Sequence, residues 1–79
     1  MVIRILFFGG AADSIGSRDA EMEVNGRSSV REVIDRLLHQ HPQLLNRKLL
    51  SAVNEEYTDS EAILKEGDEL AIFSPVSGG

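Results

Sequence analysis

The first apolar segment of the chain runs from Val2 to Phe8 and contains one charged residue, Arg4. Its β-branched and aromatic side chains, followed by Gly9-Gly10, predict a β-strand. Because side chains alternate along a strand, its two faces differ in composition. One face carries Ile3, Ile5 and Phe7, and the other carries Val2, Arg4, Leu6 and Phe8. We expect the first, entirely apolar face to lie in the core.

A second strand is predicted from Ala20 to Val24, where apolar and acidic residues alternate. Glycine, serine and aspartate recur between the two strands, so we predict a loop over residues 9–18 and a hairpin around it. Gly10 and Gly16 follow a strand, as the glycines of phosphate-binding loops do. Their spacing, and the lack of a following Lys-Ser or Lys-Thr, argue against a nucleotide site.

One long helix is predicted after this hairpin. Ser29 and Glu32 are three residues apart, the spacing of a capping box, which indicates that a helix begins here. Pro42 disfavours helical geometry at His41 and ends the helix, and a short turn is expected at residues 44–45. The apolar residues recur on one helix face, which must cover the sheet. They are Val30, Val33, Ile34, Leu37 and Leu38.

The rest of the chain predicts three more strands and one helical turn. In order, they are a strand at Leu49 to Val53, a turn at residues 54–56, a strand stub at Tyr57-Thr58, a helical turn over residues 60–66 closed by Gly67, and a strand at Glu69 to Phe73. Because only one long amphipathic helix is available, we predict an α+β fold in which this helix covers one face of an open sheet and buries the apolar side chains of the strands.

Composition narrows the possible functions. The 79 residues predict a single domain, and the absence of cysteine excludes disulfides, thiolate metal sites and cysteine nucleophiles. The formal charge of −5 argues against nucleic acid as a ligand and favours a basic protein partner. No apolar run approaches the roughly 20 residues of a membrane span, so we expect no association with membranes. The missing disulfides fit a reducing compartment, so we expect a cytoplasmic protein.

Two groups of polar residues are candidate sites. His39 and His41 are two residues apart, a spacing that points them to different helix faces, so no metal site is predicted. The acidic residues between positions 55 and 69 lie in predicted turns without a cleft to perturb their pKa values. We interpret them as a solvated acidic rim that steers a basic partner.

Aromatic residues are expected on the uncovered face of the sheet. If the first and last strands are parallel neighbours, Phe8 and Phe73 lie side by side there, and Tyr57 completes the patch. Three of the four aromatic residues of the chain would then face solvent, which is typical of a protein-docking surface. The alternative is that loops cover them.

The final segment, residues 74–79, is predicted to be a flexible tail that ends in Gly78-Gly79. Its six residues reach about 20 Å when extended, and the last two have no side chain to obstruct a narrow passage. A terminal carboxylate is ionised at neutral pH and can attack the α-phosphate of ATP to give an acyl-adenylate. We therefore predict that Gly79 is the reactive group and that Gly78 threads a channel in a partner.

Several segments resemble the MoaD-type small subunit of molybdopterin synthase, a member of the MoaD/ThiS family. They are residues 2–8, Ala52-Val53-Asn54, residues 64–69 and Phe73 to Gly79. The resemblance implies a ubiquitin-like β-grasp fold with a mixed sheet of order 2-1-5-3-4. It also implies a sulfur carrier, the sulfur-donating subunit of a heteromeric enzyme and not an enzyme on its own.

Several partners follow from the resemblance. An E1-like adenylating enzyme of the MoeB type would use ATP to adenylate Gly79, and a sulfurtransferase would convert it to a thiocarboxylate. No bound cofactor is expected. The tail would then enter a large catalytic subunit of the MoaE type, where sulfur builds the molybdopterin dithiolene. Pro75 and Val76 are expected to contact that partner together with the aromatic residues.

Two positions depart from the family pattern, and other functions stay open. Ala12-Asp13 replaces the usual Arg-Glu pair, so no partner contact is carried over to that loop, and Ser74-Pro75 replaces Pro-Pro, which makes the tail less stiff. The alternatives are a sulfur carrier for thiamine or another pathway, a ubiquitin-like modifier that joins Gly79 to lysines, and a β-grasp adaptor that leaves the carboxylate unused.

Overall fold

The computed structural model describes residues 1–46 and 48–74. The elements are β1 (Val2–Gly9), α1 (Gly10–Ile15), β2 (Asp19–Glu23), α2 (Val30–Gln40), a 3₁₀ helix (Pro42–Asn46), β3 (Leu50–Val53), β4 (Glu56–Tyr57) and β5 (Glu69–Ser74). The five strands form one mixed sheet of order β2-β1-β5-β3-β4, in which β1 and β5 are parallel and the other pairs are antiparallel. This confirms the α+β fold and the strand order that the resemblance implied.

The core lies between α2 and one face of the sheet. Burial alternates along β1, with Ile3, Ile5 and Phe7 buried, as the alternating pattern predicted. From the helix, Val33 and Leu37 enter the same cluster. The remaining buried apolar residues of the cluster are Ala11, Met22, Val24, Val30, Leu44, Leu64, Leu70 and Ile72.

Helix α2 begins and ends as the sequence predicts. The Ser29 hydroxyl accepts a hydrogen bond from the Glu32 backbone N–H at 3.2 Å, which satisfies one of the free amides of the first turn. The last residue is Gln40, and His41 still donates its backbone N–H to the Leu37 carbonyl at 2.8 Å. Pro42 then starts a 3₁₀ helix, the short turn expected there.

The loop predicted over residues 9–18 is wrong for residues 10–15, which form helix α1. Ala11 is fully buried in this helix, and Ile15, four residues on, packs against the core. The Gln43 side chain holds the helix from outside by donating to the Ser14 carbonyl at 3.1 Å. The glycine, serine and aspartate content suggested a loop, but burial of one small apolar face outweighed those local preferences.

The helical turn predicted over residues 60–66 is also wrong. Ile63 forms an isolated antiparallel bridge with Ser29, and Leu64 donates its backbone N–H to the Ser28 carbonyl at 2.8 Å. The Val30 N–H donates in turn to the Ala62 carbonyl at 3.0 Å. Residues 62–64 therefore use their backbone groups to anchor the start of α2, and the segment forms turns and one bridge instead of a helix. The other strand boundaries differ from the predictions by one residue.

Candidate functional site

Three aromatic rings form a cluster on the sheet face that α2 leaves uncovered. Phe8 and Phe73 are partners in the β1–β5 register, and their rings stack with centroids 5.1 Å apart and planes 16° apart. The Tyr57 ring lies 6.3 Å from Phe73 at a tilt of 41°. Phe8 is 44% exposed and Tyr57 is 76% exposed. The structure thus brings together the aromatic residues that the sequence predicted, and their role in binding a partner stays a prediction.

A shallow groove of about 320 Å³ runs beside this aromatic cluster. Ala52 and Ala71 face each other across β3 and β5, and their small side chains leave a depression in the sheet surface. Leu6 and the aromatic cluster border it on the apolar side. The carboxylate residues Glu55 and Glu69 line it as well, so the groove has an apolar floor and an acidic rim.

Asn54 fixes the position of this acidic rim. Its side-chain carbonyl accepts from the Glu69 backbone N–H at 3.0 Å, and its side-chain amide donates to the Asp68 carboxylate at 3.0 Å. Its own backbone N–H donates to the Glu69 carbonyl at 2.8 Å. The second oxygen of Asp68 accepts from the Lys65 backbone N–H at 2.8 Å. These bonds tie the β3–β4 turn to the start of β5, and so bring Glu55 and Glu69 to the same groove.

The β3–β4 turn has an unusual conformation. Both central residues have positive φ, 50° at Asn54 and 71° at Glu55, and the flanking residues Val53 and Glu56 pair with each other. Two-residue hairpins of this kind favour Asn-Gly, because the second position carries a side chain only at a steric cost. The sequence predicted a turn here and placed Glu55 in the acidic rim, but it did not predict the groove that Glu55 lines. Asn followed by a second polar residue between two strands was the available signal.

The start of the predicted tail belongs to the sheet. Ser74 is the last residue of β5, is buried, and pairs with Gly9. Gly9 has a φ of 60°, and a Cβ atom there would lie 2.8 Å from the Ser74 carbonyl oxygen. Strand β5 therefore ends one residue after Phe73, directly beside the aromatic cluster. The other predicted tail residues, Pro75, Val76, Gly78 and Gly79, lie outside the described residues.

The described residues form neither a metal site nor a membrane-spanning helix. Among residues 1–46 and 48–74, no three histidine or carboxylate side chains are grouped closely enough to hold a metal ion. Over the same residues, no helix has the length and apolar character needed to span a membrane.

Comparison with known proteins places the chain in a family. The ThiS family model matches residues 5–79, nearly the whole sequence. The chain belongs to the ThiS family. It is 35% identical to the molybdopterin synthase sulfur carrier subunit of Arabidopsis thaliana, over 98% of this chain and 82% of that protein. It is 37% identical to small archaeal modifier protein 1 of Haloferax volcanii, over 91% of this chain and 94% of that protein. The resemblance stated from the sequence is therefore confirmed.

Solved structures agree with this membership. The crystal structure of SAMP1 from Haloferax volcanii matches with a TM-score of 0.86 and 29% identity, over the full length of both chains. A complex of subunits 1 and 2 of the molybdopterin-converting factor from Helicobacter pylori contains a chain that matches with a TM-score of 0.68 and 25% identity, again over both full lengths. This ThiS-family chain has the ubiquitin-like β-grasp fold.

Proposed function

We propose that this protein is the sulfur carrier subunit of a molybdopterin synthase and that the carboxyl group of Gly79 carries the sulfur. A carboxylate oxygen attacks the α-phosphate of ATP on an E1-like adenylating enzyme, which releases pyrophosphate and leaves an acyl-adenylate. The terminal sulfur of a persulfide on a sulfurtransferase then attacks the carbonyl carbon and AMP departs, and a thiol reductant cleaves the S–S bond of the resulting acyl disulfide to leave the thiocarboxylate. In a large catalytic subunit the thiocarboxylate sulfur bonds to the precursor of the molybdopterin dithiolene, and water hydrolyses the resulting thioester so that Gly79 returns to a carboxylate.

The single observation that best supports this proposal is the position of the aromatic cluster at the end of β5. The stacked pair Phe8 and Phe73 lies one residue from Ser74, where the strand ends. From there, the five residues to Gly79 span at most about 17 Å. A partner seated on the aromatic cluster is therefore within reach of the proposed reactive group. An exposed aromatic surface of this kind suits a protein interface.

The relatives support the same function and one class of partner. The Arabidopsis thaliana relative is named a sulfur carrier subunit, and the Helicobacter pylori neighbour was solved together with subunit 2. We propose that the large subunit and the adenylating enzyme use the aromatic cluster in turn, because both must approach the same tail. The sulfurtransferase needs access to Gly79 only after adenylation.

A second function is favoured by one observation. The Haloferax volcanii relative, at 37% identity, is named a small archaeal modifier protein. Activation of Gly79 would be the same in that case, but a lysine amine would displace AMP and form an amide with a target protein. The two functions differ in the acceptor and not in the activated intermediate.

Intact mass spectrometry tests the proposal. The protein is incubated with an E1-like adenylating enzyme, ATP and a sulfur donor, and fragmentation locates any change. We expect the mass to rise by the difference between one sulfur and one oxygen, with the change on Gly79. A variant that lacks Gly79 is the control and should stay unmodified. Sulfur on another residue would contradict the proposal, and amide adducts on lysines would favour the modifier function.

A further inference from the structure

We propose that the groove beside the aromatic cluster binds an arginine side chain of the protein partner. The aliphatic part of that side chain lies on the floor formed by Ala52 and Ala71, and its guanidinium group reaches the carboxylates of Glu55 and Glu69 next to the Tyr57 ring. This inference rests on the proposed function, because it takes the aromatic face as the docking surface. It adds to that function the chemical group of the partner that the docking surface recognises.

The shape of the groove suits one long side chain. The groove has a volume of about 320 Å³ and is open to solvent along the sheet surface. Its floor is formed by the small side chains of two alanines that face each other across β3 and β5. Tyr57 lies beside Ala52 as its register partner on β4 and also lines the groove. A flat group that enters the groove can therefore lie against an aromatic ring and still reach its acidic rim.

The two carboxylates of the rim have no internal cation in the described parts of the chain. There, the ion pairs are Arg4 with Asp19 at 3.1 Å and Arg31 with Glu61 at 3.5 Å. Arg4 is the register partner of Glu69, but its guanidinium donates to Asp19 on the far side, in β2. Glu69 and Glu55 are thus available for a cation from outside, and the net charge of −5 attracts one.

Glu55 keeps its side chain at a strained backbone position. Its φ of 71° lies in the left-handed region, where side chains other than those of Asn and Asp are uncommon. Glycine at this position would form the same turn without that cost. Strained residues persist where the surrounding structure holds them, and they concentrate at functional sites. The conformation of Glu55 therefore points to a use for its carboxylate at the edge of the groove.

Arginine fits these features better than other side chains do. Its planar guanidinium stacks on aromatic rings and donates to two carboxylates at once. Lysine is a compact, strongly hydrated point charge that does not stack in this way. A purely apolar side chain would take water away from two carboxylates without pairing them, which is unfavourable.

NMR titration with short peptides tests the inference without any sulfur chemistry. The isotope-labelled protein is titrated with N-acetyl-Phe-Arg-amide and with two matched peptides that carry lysine or neutral citrulline in place of arginine. Millimolar concentrations are needed, because a single side chain gives weak binding. We expect the arginine peptide to shift the amide signals of Ala52 and Ala71 and to bind about threefold or more tightly than the other two.

Variants of the rim give the matched controls. Glu55→Gln and Glu69→Gln should each remove the advantage of arginine over citrulline, whereas Glu56→Gln, at a neighbouring acidic residue outside the groove, should keep it. Glu55→Gly should weaken arginine binding and at the same time raise the melting temperature by about 4 °C, because it relieves the strained turn.

The outcomes separate this inference from the proposed function. Equal binding of the arginine and citrulline peptides, equal binding of the lysine peptide, or no shifts at Ala52 and Ala71 would each overturn it. A Glu55→Gly variant that binds the arginine peptide as tightly as the parent would do the same. Sulfur loading of Gly79 is measured independently by mass spectrometry. If loading succeeds while the titration fails, only the arginine inference is wrong.

Discussion

At the scale of single residues, positive φ angles distinguish a position that serves the fold from one that serves the groove. Gly9 has a φ of 60° and no room for a Cβ atom, which would lie 2.8 Å from the Ser74 carbonyl oxygen. Glu55 has a φ of 71° and nevertheless carries a side chain, whose carboxylate lies at the groove. The fold therefore requires the conformational freedom of glycine at Gly9, whereas Glu55 keeps a side chain in spite of its positive φ.

Gly9→Ala should lower the free energy of unfolding by about 2 kcal/mol, from the left-handed backbone and the forced contact with the Ser74 carbonyl. Gly16→Ala is the matched control, because Gly16 also has positive φ, 79°, but has no atom within 4 Å of the added Cβ. The loss of stability in Gly16→Ala should be smaller for two reasons. Gly16 lies in the αL region, whereas the ψ of −136° at Gly9 places it in a region open essentially to glycine, and only Gly9 makes the forced contact. Urea unfolding measures both, and equal losses would show that β1 and β5 adjust freely at this point.

Phe8→Ala and Phe73→Ala should each weaken binding to the large catalytic subunit by about 2 kcal/mol, since aromatic residues at interface centres often cost that much. The Phe8 side chain is 44% exposed, so the fold should survive its truncation. Leu45→Ala, at an apolar residue that is 65% exposed outside the aromatic cluster, is the control and should bind normally. Calorimetry measures the binding affinities, and circular dichroism shows whether each variant is folded. Unchanged affinity with reduced stability would place the phenylalanines in the core.

At the scale of elements, the sequence correctly predicted the strands and helices whose hydrophobic pattern and end signals indicate the same structure. Strand β1 has clean alternation, and α2 has its Ser29 cap, its apolar stripe and Pro42 beyond its end. Helix α1 was missed because only Ala11 and Ile15 carry its signal among residues typical of loops. The segment around Ile63 was misjudged because its backbone pairs with Ser29, a contact distant in sequence. Local preference does not contain such information.

The cap of α2 gives a prediction for one element. Ser29→Ala should destabilise the protein by about 1 kcal/mol, because the Glu32 backbone N–H loses its hydrogen-bond acceptor. Ser29 itself is only 7% exposed. Ser60→Ala is a suitable control, since Ser60 contacts α2 through its backbone carbonyl, which the change retains. Thermal unfolding compares the two variants. An equal and negligible effect would mean that packing alone holds the first turn.

At the scale of the whole molecule, the two faces of one sheet have different tasks. The face toward α2 packs against the core. The opposite face carries the ion pair of Arg4 with Asp19 and also the aromatic cluster. The parallel pairing of β1 with β5 brings Phe8 beside Phe73 although they are far apart in sequence. The sequence predicted this cluster because alternation alone assigns faces once the strand order is known.

The groove could not be predicted in the same way. Its floor depends on the exact register that pairs Ala52 with Ala71, and its rim depends on the backbone angles of Asn54 and Glu55. The register is not encoded in a local pattern, and the Asn-Glu sequence predicts a turn but not these backbone angles. The tail residues Gly78 and Gly79, by contrast, were identified from the sequence and lie outside the described residues, so their role is the central claim that experiment must decide.

A single-turnover sulfur transfer tests that claim most directly. The protein is loaded with heavy-isotope sulfur at Gly79, separated from the activating enzyme, and mixed with the large subunit and the pyranopterin precursor. We predict that the heavy isotope appears in the dithiolene product while Gly79 returns to a plain carboxylate, and that Gly78→Ala slows this step without changing the melting temperature. Product that lacks the heavy isotope, or a loaded Gly79 that stays unchanged, would contradict the claim.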